Sequence, residues 1–447
     1  MATEARGIQP RLTAFDTTMV VVSLVIGIGI FRAPQVVATA AGSTTVFFAA
    51  WTLGGLVSLI GALTFAEIGS RVPRAGGYYR VVADCYHPAL AFMLNWAQAI
   101  MQGAGAAGVA FIGAEYLVPL LFSPGARTAA SVPITALALM LVLLALNCLG
   151  IRAGARTQNV LSLAKIAMIL GLAAAAFWPG VGAAAAGPAR AAPLPGSPWA
   201  ALWAASIAVF YTYGGYQNTM NLGGDVREAQ KNLPRAVTAG MAIVVALYLL
   251  INLAYQRILG TAGIAGSTLV AAELARAIFG PVGENVVCLA IFLSAAGFVN
   301  ATILQVPRSY YAMAEDHTLP AAFLRVDPHS QVQAFGLVFF GATMLLPAFL
   351  LGSFEKLLNY VMFTDSLTLV VVASTVFVLR RRAAADDEAR PYRMPGYPVL
   401  PAIFALCLLG VSLHVLLAQP RLALAGGAVL LAGYPLFLLA RRLVRAT

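Results

Sequence analysis

Charge is what this chain has least of. Only 10% of its 447 residues are Asp, Glu, Lys or Arg, against roughly 25% in a soluble domain. That leaves almost no room for a separate water-exposed domain. Lysine is nearly absent: Lys165, Lys231 and Lys356 are the only three. The four cysteines, Cys85, Cys148, Cys288 and Cys407, lie in or beside apolar runs. They are too few and too dispersed for a disulfide framework. The four histidines, His87, His317, His329 and His414, show no ligand spacing. No nucleophile triad, phosphate loop or metal motif occurs, so neither an enzyme nor a bound cofactor or metal is expected. A cleavable leader is not expected either: residues 1–12 are polar and the apolar run after them is long enough to span a bilayer.

Hydrophobicity is what fills the space. The chain is 60% apolar, which predicts an all-α polytopic membrane protein. At about 20 apolar residues per span, twelve transmembrane helices are expected: 14–40, 46–71, 88–121, 131–149, 157–178, 199–223, 233–259, 284–313, 333–352, 355–380, 398–418 and 422–440. The third and eighth are long enough to imply tilt. The Pro/Gly/Ala stretch 179–198 is too interrupted to span. With both termini inside, Arg127, Arg190, Arg257, Arg276, Lys356 and Arg421 fall outside, and Arg32 and Lys165 fall within the membrane. The rest of the 28 basic residues fall in inner segments. That asymmetry fits cytoplasmic ends and an even number of spans. It also assigns the net charge of +11 to orientation in a lipid bilayer, not to nucleic acid. The excess of arginine over lysine and the alanine richness suggest a GC-rich bacterial genome, hence a bacterial inner membrane.

Two glycine-rich interruptions then stand out. Gly27-Ile28-Gly29 lies in the first span and Tyr213-Gly214-Gly215-Tyr216 in the sixth. Unpaired backbone in a bilayer costs several kcal/mol and survives only where it lines a cavity or holds a ligand. Breaks five spans apart fit two inverted five-helix repeats, because an odd number of spans flips the second copy. The expected organisation is a cytoplasmic N-terminus at 1–13, a first repeat at 14–178 and a second, inverted repeat at 199–380. A cytoplasmic loop at 381–397 and two extra helices at 398–440 follow. Free N–H groups at a half-helix start suit a carboxylate. Free carbonyls at the facing half-helix suit an ammonium, and an α-amino acid carries both groups. Close packing of small residues is the plainer reading of the same glycines.

Four stretches resemble the amino acid–polyamine–organocation superfamily, and within it the L-type amino acid transporter branch. Ile26-Gly27-Ile28-Gly29-Ile30-Phe31 is similar to the first-span glycine motif, with Ile28 in place of its serine. Ala66-Glu67-Ile68-Gly69 with Arg71-Val72-Pro73-Arg74-Ala75-Gly76-Gly77-Tyr78 resembles the end of the second span and its loop. Tyr211-Thr212-Tyr213-Gly214-Gly215-Tyr216, followed by Asn232-Leu233-Pro234-Arg235-Ala236, resembles the sixth-span motif and its loop. Tyr211 replaces its gating phenylalanine there, and Tyr216 its tryptophan. The segment from Arg390 to Pro401 resembles the loop before span eleven and is the most specific of the four.

The resemblance implies a secondary transporter of neutral or hydrophobic L-amino acids. It also implies that the first break holds the substrate carboxylate and the sixth its amine. Carried over, the binding residues are Val25, Gly27, Ile28, Gly29 and Ile30 with Tyr211, Thr212, Tyr213, Gly214 and Gly215. Lys165 resembles a fifth-span lysine whose ammonium stands where sodium-coupled relatives hold sodium. It is expected to bridge spans one and five; snorkelling to the inner face is the alternative. Exchange without sodium is therefore expected, with proton symport or polyamine transport as alternatives. Relatives with a covalently attached heavy chain carry a cysteine in the loop between spans three and four. The 122–130 segment has none, so no disulfide-linked partner is expected.

Other polar residues at membrane depth carry two readings each. Asp365, about ten residues into span ten, is a candidate for coupling or a hydrogen-bond acceptor. Asn300 resembles an eighth-span family asparagine, or serves packing. Asn95, Gln98 and Gln102 recur at helical spacing and would polarise one wall of a pocket. Glu67 sits near Arg71 and Arg74, as an interfacial charge cluster would, and the 380–393 charge run reads as a solvated loop. Neither break has an acid near it in sequence, so a cationic substrate side chain has no evident partner.

Overall fold

The computed structural model describes residues 8–179, 181, 197–267, 269–350, 354–383, 392–418 and 420–446. Among these there is no strand, only helices and two isolated backbone bridges, Leu12 with Val226 and Ala75 with Leu222. The helices are α1 (Ala14–Val25), α2 (Gly29–Ala41), α3 (Thr44–Arg71), α4 (Gly77–Cys85), α5 (Pro88–Leu121), α6 (Ser131–Cys148), α7 (Ile151–Ala176) and α8 (Pro198–Thr212). After a 3-10 turn at Tyr216–Asn221 come α9 (Ala229–Gly266), α10 (Val270–Phe279), α11 (Pro281–Glu315), α12 (Ala334–Leu350), α13 (Phe354–Ala383), α14 (Val399–Ala418) and α15 (Pro420–Ala446).

Local chemistry sets the first span. Thr13 and Asp16 cap α1 reciprocally, each side chain accepting from the other residue's backbone N–H. The helix stops at Val25, and α2 restarts at Gly29 with a 43° bend between them. Gly42 ends α2 in the left-handed region. The sixth span is broken likewise: α8 stops at Thr212 and a 3-10 turn replaces its continuation. Short α4 and α10, both outside the expected spans, are amphipathic pieces that apolar-run counting passes over.

Seven described helices are long and apolar enough to cross a membrane, or eight with the bent α1–α2 pair taken as one. The other expected spans fall on α8 with its turn, α12, α13 and α15. Outward faces are apolar: Trp199 is 79% exposed, Leu417 73% and Leu149 72%. Side chains of that kind left bare over so much surface call for lipid. Inside the bundle, α3 packs on α8 and α9, α1 on α7 and α9, and α5 on α11.

One end of the bundle is held by buried charge. Glu67 on α3 accepts from Arg71, from both Arg380 nitrogens at 2.7 and 2.6 Å, and from the Met394 N–H at 2.9 Å. Arg74, by contrast, pairs with Asp84. Arg380 is thus not part of a solvated run but is tied to α3, whereas Arg382 stays exposed and donates to the Asp84 and Cys85 carbonyls. The 384–391 part of that run lies outside the described residues, as does most of the expected 179–198 loop. Asp225, fully buried, takes a two-pronged grip from Arg308 of α11 at 2.9 and 3.2 Å. Its carbonyl also accepts from the Arg11 and Leu12 N–H groups. Each such pair is costly to break, because removing one partner strands the other in low dielectric.

Candidate transport site at the helix breaks

The Val25, Ile26 and Gly27 carbonyls at the end of α1 are already engaged. Lys165 on α7, 1% exposed, donates from Nζ to the Ile26 carbonyl at 2.6 Å and approaches the Ser23 carbonyl at 3.5 Å. A snorkelling lysine would not be enclosed in this way. The helix end supplies a negative dipole, which favours a cation there. Ser294 of α11 donates to the same ridge, its hydroxyl lying 2.7 Å from the Gly27 carbonyl and 3.1 Å from that of Ile26. Gly297, one turn on, makes the room: a Cβ there would meet Lys165 Cε at 2.7 Å and Nζ at 2.8 Å.

Tyr248 of α9 links the two breaks. Its buried hydroxyl lies 3.1 Å from the Val25 carbonyl and 3.4 Å from the Thr212 carbonyl. Neither Tyr248 nor Ser294 stood out in the sequence. Each is one polar group in an apolar helix, and only the fold shows that it faces broken backbone. The signal available was weak: a hydroxyl in the middle of a span needs a partner.

The donors of the first break divide. Gly27 N–H, expected to be free, is satisfied by the Val25 carbonyl at 2.8 Å. Ile28 and Gly29, at the start of α2, have no backbone acceptor among the described residues. Gly29 lies against span six, where a Cβ would come within 3.2 Å of Thr212 Cγ2. At the second break, Gly214 N–H bonds the Tyr211 carbonyl and Gly215 N–H bonds Gln217 Oε1.

A cavity of about 240 Å³ opens beside the second break. Tyr211, Gly214, Gly215 and Tyr216 line it, with Leu24 from the first span. Gln98 and Gln102 of α5 contribute a polar wall, as their spacing predicts, whereas Asn95 points instead to Ser309 and Met313. Gly27, Ile28, Gly29 and Ile30 are not on the cavity wall. The Phe298 ring, which is, lies 3.6 Å from a Cβ position on Gly27. Tyr213 is wholly buried against Trp51 and Tyr248 instead of facing the cavity.

Two further candidates resolve differently. Asp365 lines the cavity and accepts from Gln98 Nε2 at 2.7 Å. This corrects the expectation that no acid lies near either break: Asp365 of α13 lines the same cavity as Tyr211 and Gly214 of span six, a juxtaposition that linear distance conceals. Asn300, fully buried, is held by α6 and α7: it accepts from Asn147 at 2.7 Å and donates to Gln158 at 2.8 Å and to the Gly154 carbonyl. It is not on the cavity wall. No group of His, Cys, Asp and Glu among the described residues is arranged to hold a metal.

Residues 12–431 match the family model described as amino acid permease. Among curated relatives, the serine/threonine exchanger SteT of Bacillus subtilis is 28% identical over 408 residues, covering 90% of either chain. The human cystine/glutamate transporter is 26% identical, covering 96% of this chain and 85% of its own. The human large neutral amino acids transporter small subunit 2 is also 26% identical, over 94% of this chain and 78% of its own. The chain belongs to the amino acid permease family, a family of multi-pass membrane transporters and not of enzymes.

Proposed function

We propose that this amino acid permease is a sodium-independent exchanger of L-α-amino acids working by alternating access. It has twelve spans built on two inverted repeats, 14–178 and 199–380, with both termini in the cytoplasm of a bacterial cell. The observation that carries this reading is the pair of breaks and their differing chemistry. The Ile26, Gly27 and Val25 carbonyls at the end of α1 are filled by Lys165, Ser294 and Tyr248. That leaves the N–H groups of Ile28 and Gly29 for a carboxylate. The second break sits at the cavity, where backbone oxygens suit an ammonium. Serine/threonine exchange is what the named Bacillus subtilis relative performs, which supports exchange here. Proton symport is the second reading, favoured by the carboxylate of Asp365 in the cavity.

The test is counterflow of a labelled amino acid into proteoliposomes holding the purified chain alone, with and without reductant. Amino acids should compete; their methyl esters and N-acetyl derivatives should not. Decarboxylated amines that compete better than the parent acids would replace this reading with polyamine transport. A rate that needs reductant-sensitive material from the membrane would argue for a linked partner. An imposed proton gradient that drives accumulation without internal substrate would favour symport.

Replacing external sodium with choline should leave the initial rate unchanged. A lysine ammonium on the Ile26 carbonyl already supplies the positive charge that a sodium ion would bring, and two cations in one low-dielectric site repel strongly. A steep sodium dependence would overturn the assignment of Lys165.

A further inference from the structure

We propose that Asp365 is a specificity-determining residue and that the cavity admits amino acids whose side chain bears a second ammonium group. This rests on the exchange reading above, which assigns the α-amine and α-carboxylate to the two breaks. It adds the part of the substrate that those groups leave undefined.

Asp365 is a carboxylate on the cavity wall, and the other described residues there are neutral. Its one neighbour in hydrogen-bond contact among the described residues is Gln98, a neutral donor. Its remaining acceptor capacity faces no cation: among the described residues, no ion pair includes it. Among the described residues, no lysine, arginine or histidine lines the cavity. An ionised carboxylate in such surroundings is expensive until a cation arrives. Among the described residues, the rings of Phe210, Tyr211, Tyr216 and Phe298 also line the wall. Tyr211 and Tyr216 share that wall with the carboxylate. Ring faces attract ammonium groups, most strongly where water is thin. A carboxylate with aromatic neighbours therefore selects a cation. It rejects an anionic side chain by like charge, and it penalises a purely aliphatic one that would cover the acid without pairing it.

The breaks cannot supply this selection themselves. Their chemistry is backbone chemistry, common to every α-amino acid. Side-chain discrimination must come from side chains on the wall, and among the described residues Asp365 is the one ionisable carboxylate there.

The experiment compares L-lysine with L-norleucine, which keeps the four-carbon stem and lacks the ammonium. L-Glutamate and cadaverine are the other competitors. Each competes against whichever labelled amino acid shows counterflow with the purified protein. Lysine is expected to compete at a concentration at least roughly tenfold below norleucine, the scale of a charge-assisted hydrogen bond. Asp365→Asn should shrink that ratio by about tenfold or more, and Asp365→Glu should restore part of it. Norleucine competing as well as lysine with the wild-type protein overturns the proposal, whether or not either variant accumulates. A ratio unchanged in Asp365→Asn does so too. Cadaverine outcompeting lysine would uphold the acid's preference and remove the α-amino-acid reading, so the two ideas fail separately. If no amino acid exchanges, thermal stabilisation of the purified protein by lysine against norleucine reads the same preference.

Discussion

Lys165→Ala should cut substrate affinity by roughly tenfold to a hundredfold, although the lysine is not on the cavity wall. The side chain holds the Ile26 carbonyl at 2.6 Å in a site that is 1% exposed. Removing it strands a backbone acceptor, a loss of about 1–3 kcal/mol for a buried group, and leaves a void where a four-carbon stem was packed. Ser294 still reaches Ile26, so the carbonyl is not wholly abandoned. What changes is the angle between α1 and α2, which the Lys165 bridge helps to fix. The Ile28 and Gly29 donors move with it.

Arginine should not rescue the loss. A Cβ at Gly297 would already approach Lys165 Cε at 2.7 Å, so the neighbouring backbone leaves no space for a planar guanidinium. Because Lys165 and Ser294 share the Ile26 carbonyl, the double variant Lys165→Ala/Ser294→Ala should be non-additive. Binding and counterflow at matched membrane expression measure these variants together with the Ser294→Ala single that the comparison needs. Near-wild-type transport by Lys165→Ala would remove the residue from the mechanism and reopen the question of sodium.

How far the site was legible follows from which forces act locally. Composition and apolar run length located the seven or eight helices long and apolar enough to cross a membrane, because bilayer thickness imposes a length that any spanning sequence must meet. The two breaks were legible for the same reason: glycine inside such a run is conspicuous. Lys165 was legible because a lone lysine at membrane depth demands a partner. Tyr248 and Ser294 were not, since their first-break partners are main-chain atoms freed more than 200 residues earlier in the chain. Asp365 was visible as a buried acid, yet its position beside Tyr211 and Gln98 depends on how α13 crosses the bundle. Helix crossing is set by side-chain ridges packing together, which one sequence does not spell out. Arg380 shows the converse error. Its charged neighbours in sequence suggest solvent, and only the fold brings Glu67 to it.

Gly215→Ala should abolish transport, while Gly214→Ala should be milder, although both residues line the cavity. Gly215 holds φ at +117°, a region closed to side-chain-bearing residues without strain of about 1–3 kcal/mol. The steric cost adds to this. A Cβ at Gly215 would sit 2.3 Å from the Leu24 carbonyl oxygen and 2.8 Å from its carbon. Those atoms are backbone in the last turn of α1, next to the first break, and backbone cannot rotate aside as a side chain would. Span six would have to withdraw from span one, parting the Thr212 and Val25 carbonyls that Tyr248 joins. At Gly214 the nearest atom to an added Cβ is the Tyr211 carbonyl oxygen at 3.3 Å, a contact that small adjustments relieve. The two substitutions add the same methyl group to the same cavity wall, so their difference isolates the close approach of the two broken spans. Counterflow and thermal unfolding in detergent, compared at equal purified amounts, read that difference. Equal effects from the two alanines would mean that the added volume in the cavity matters and the approach of span six to span one does not.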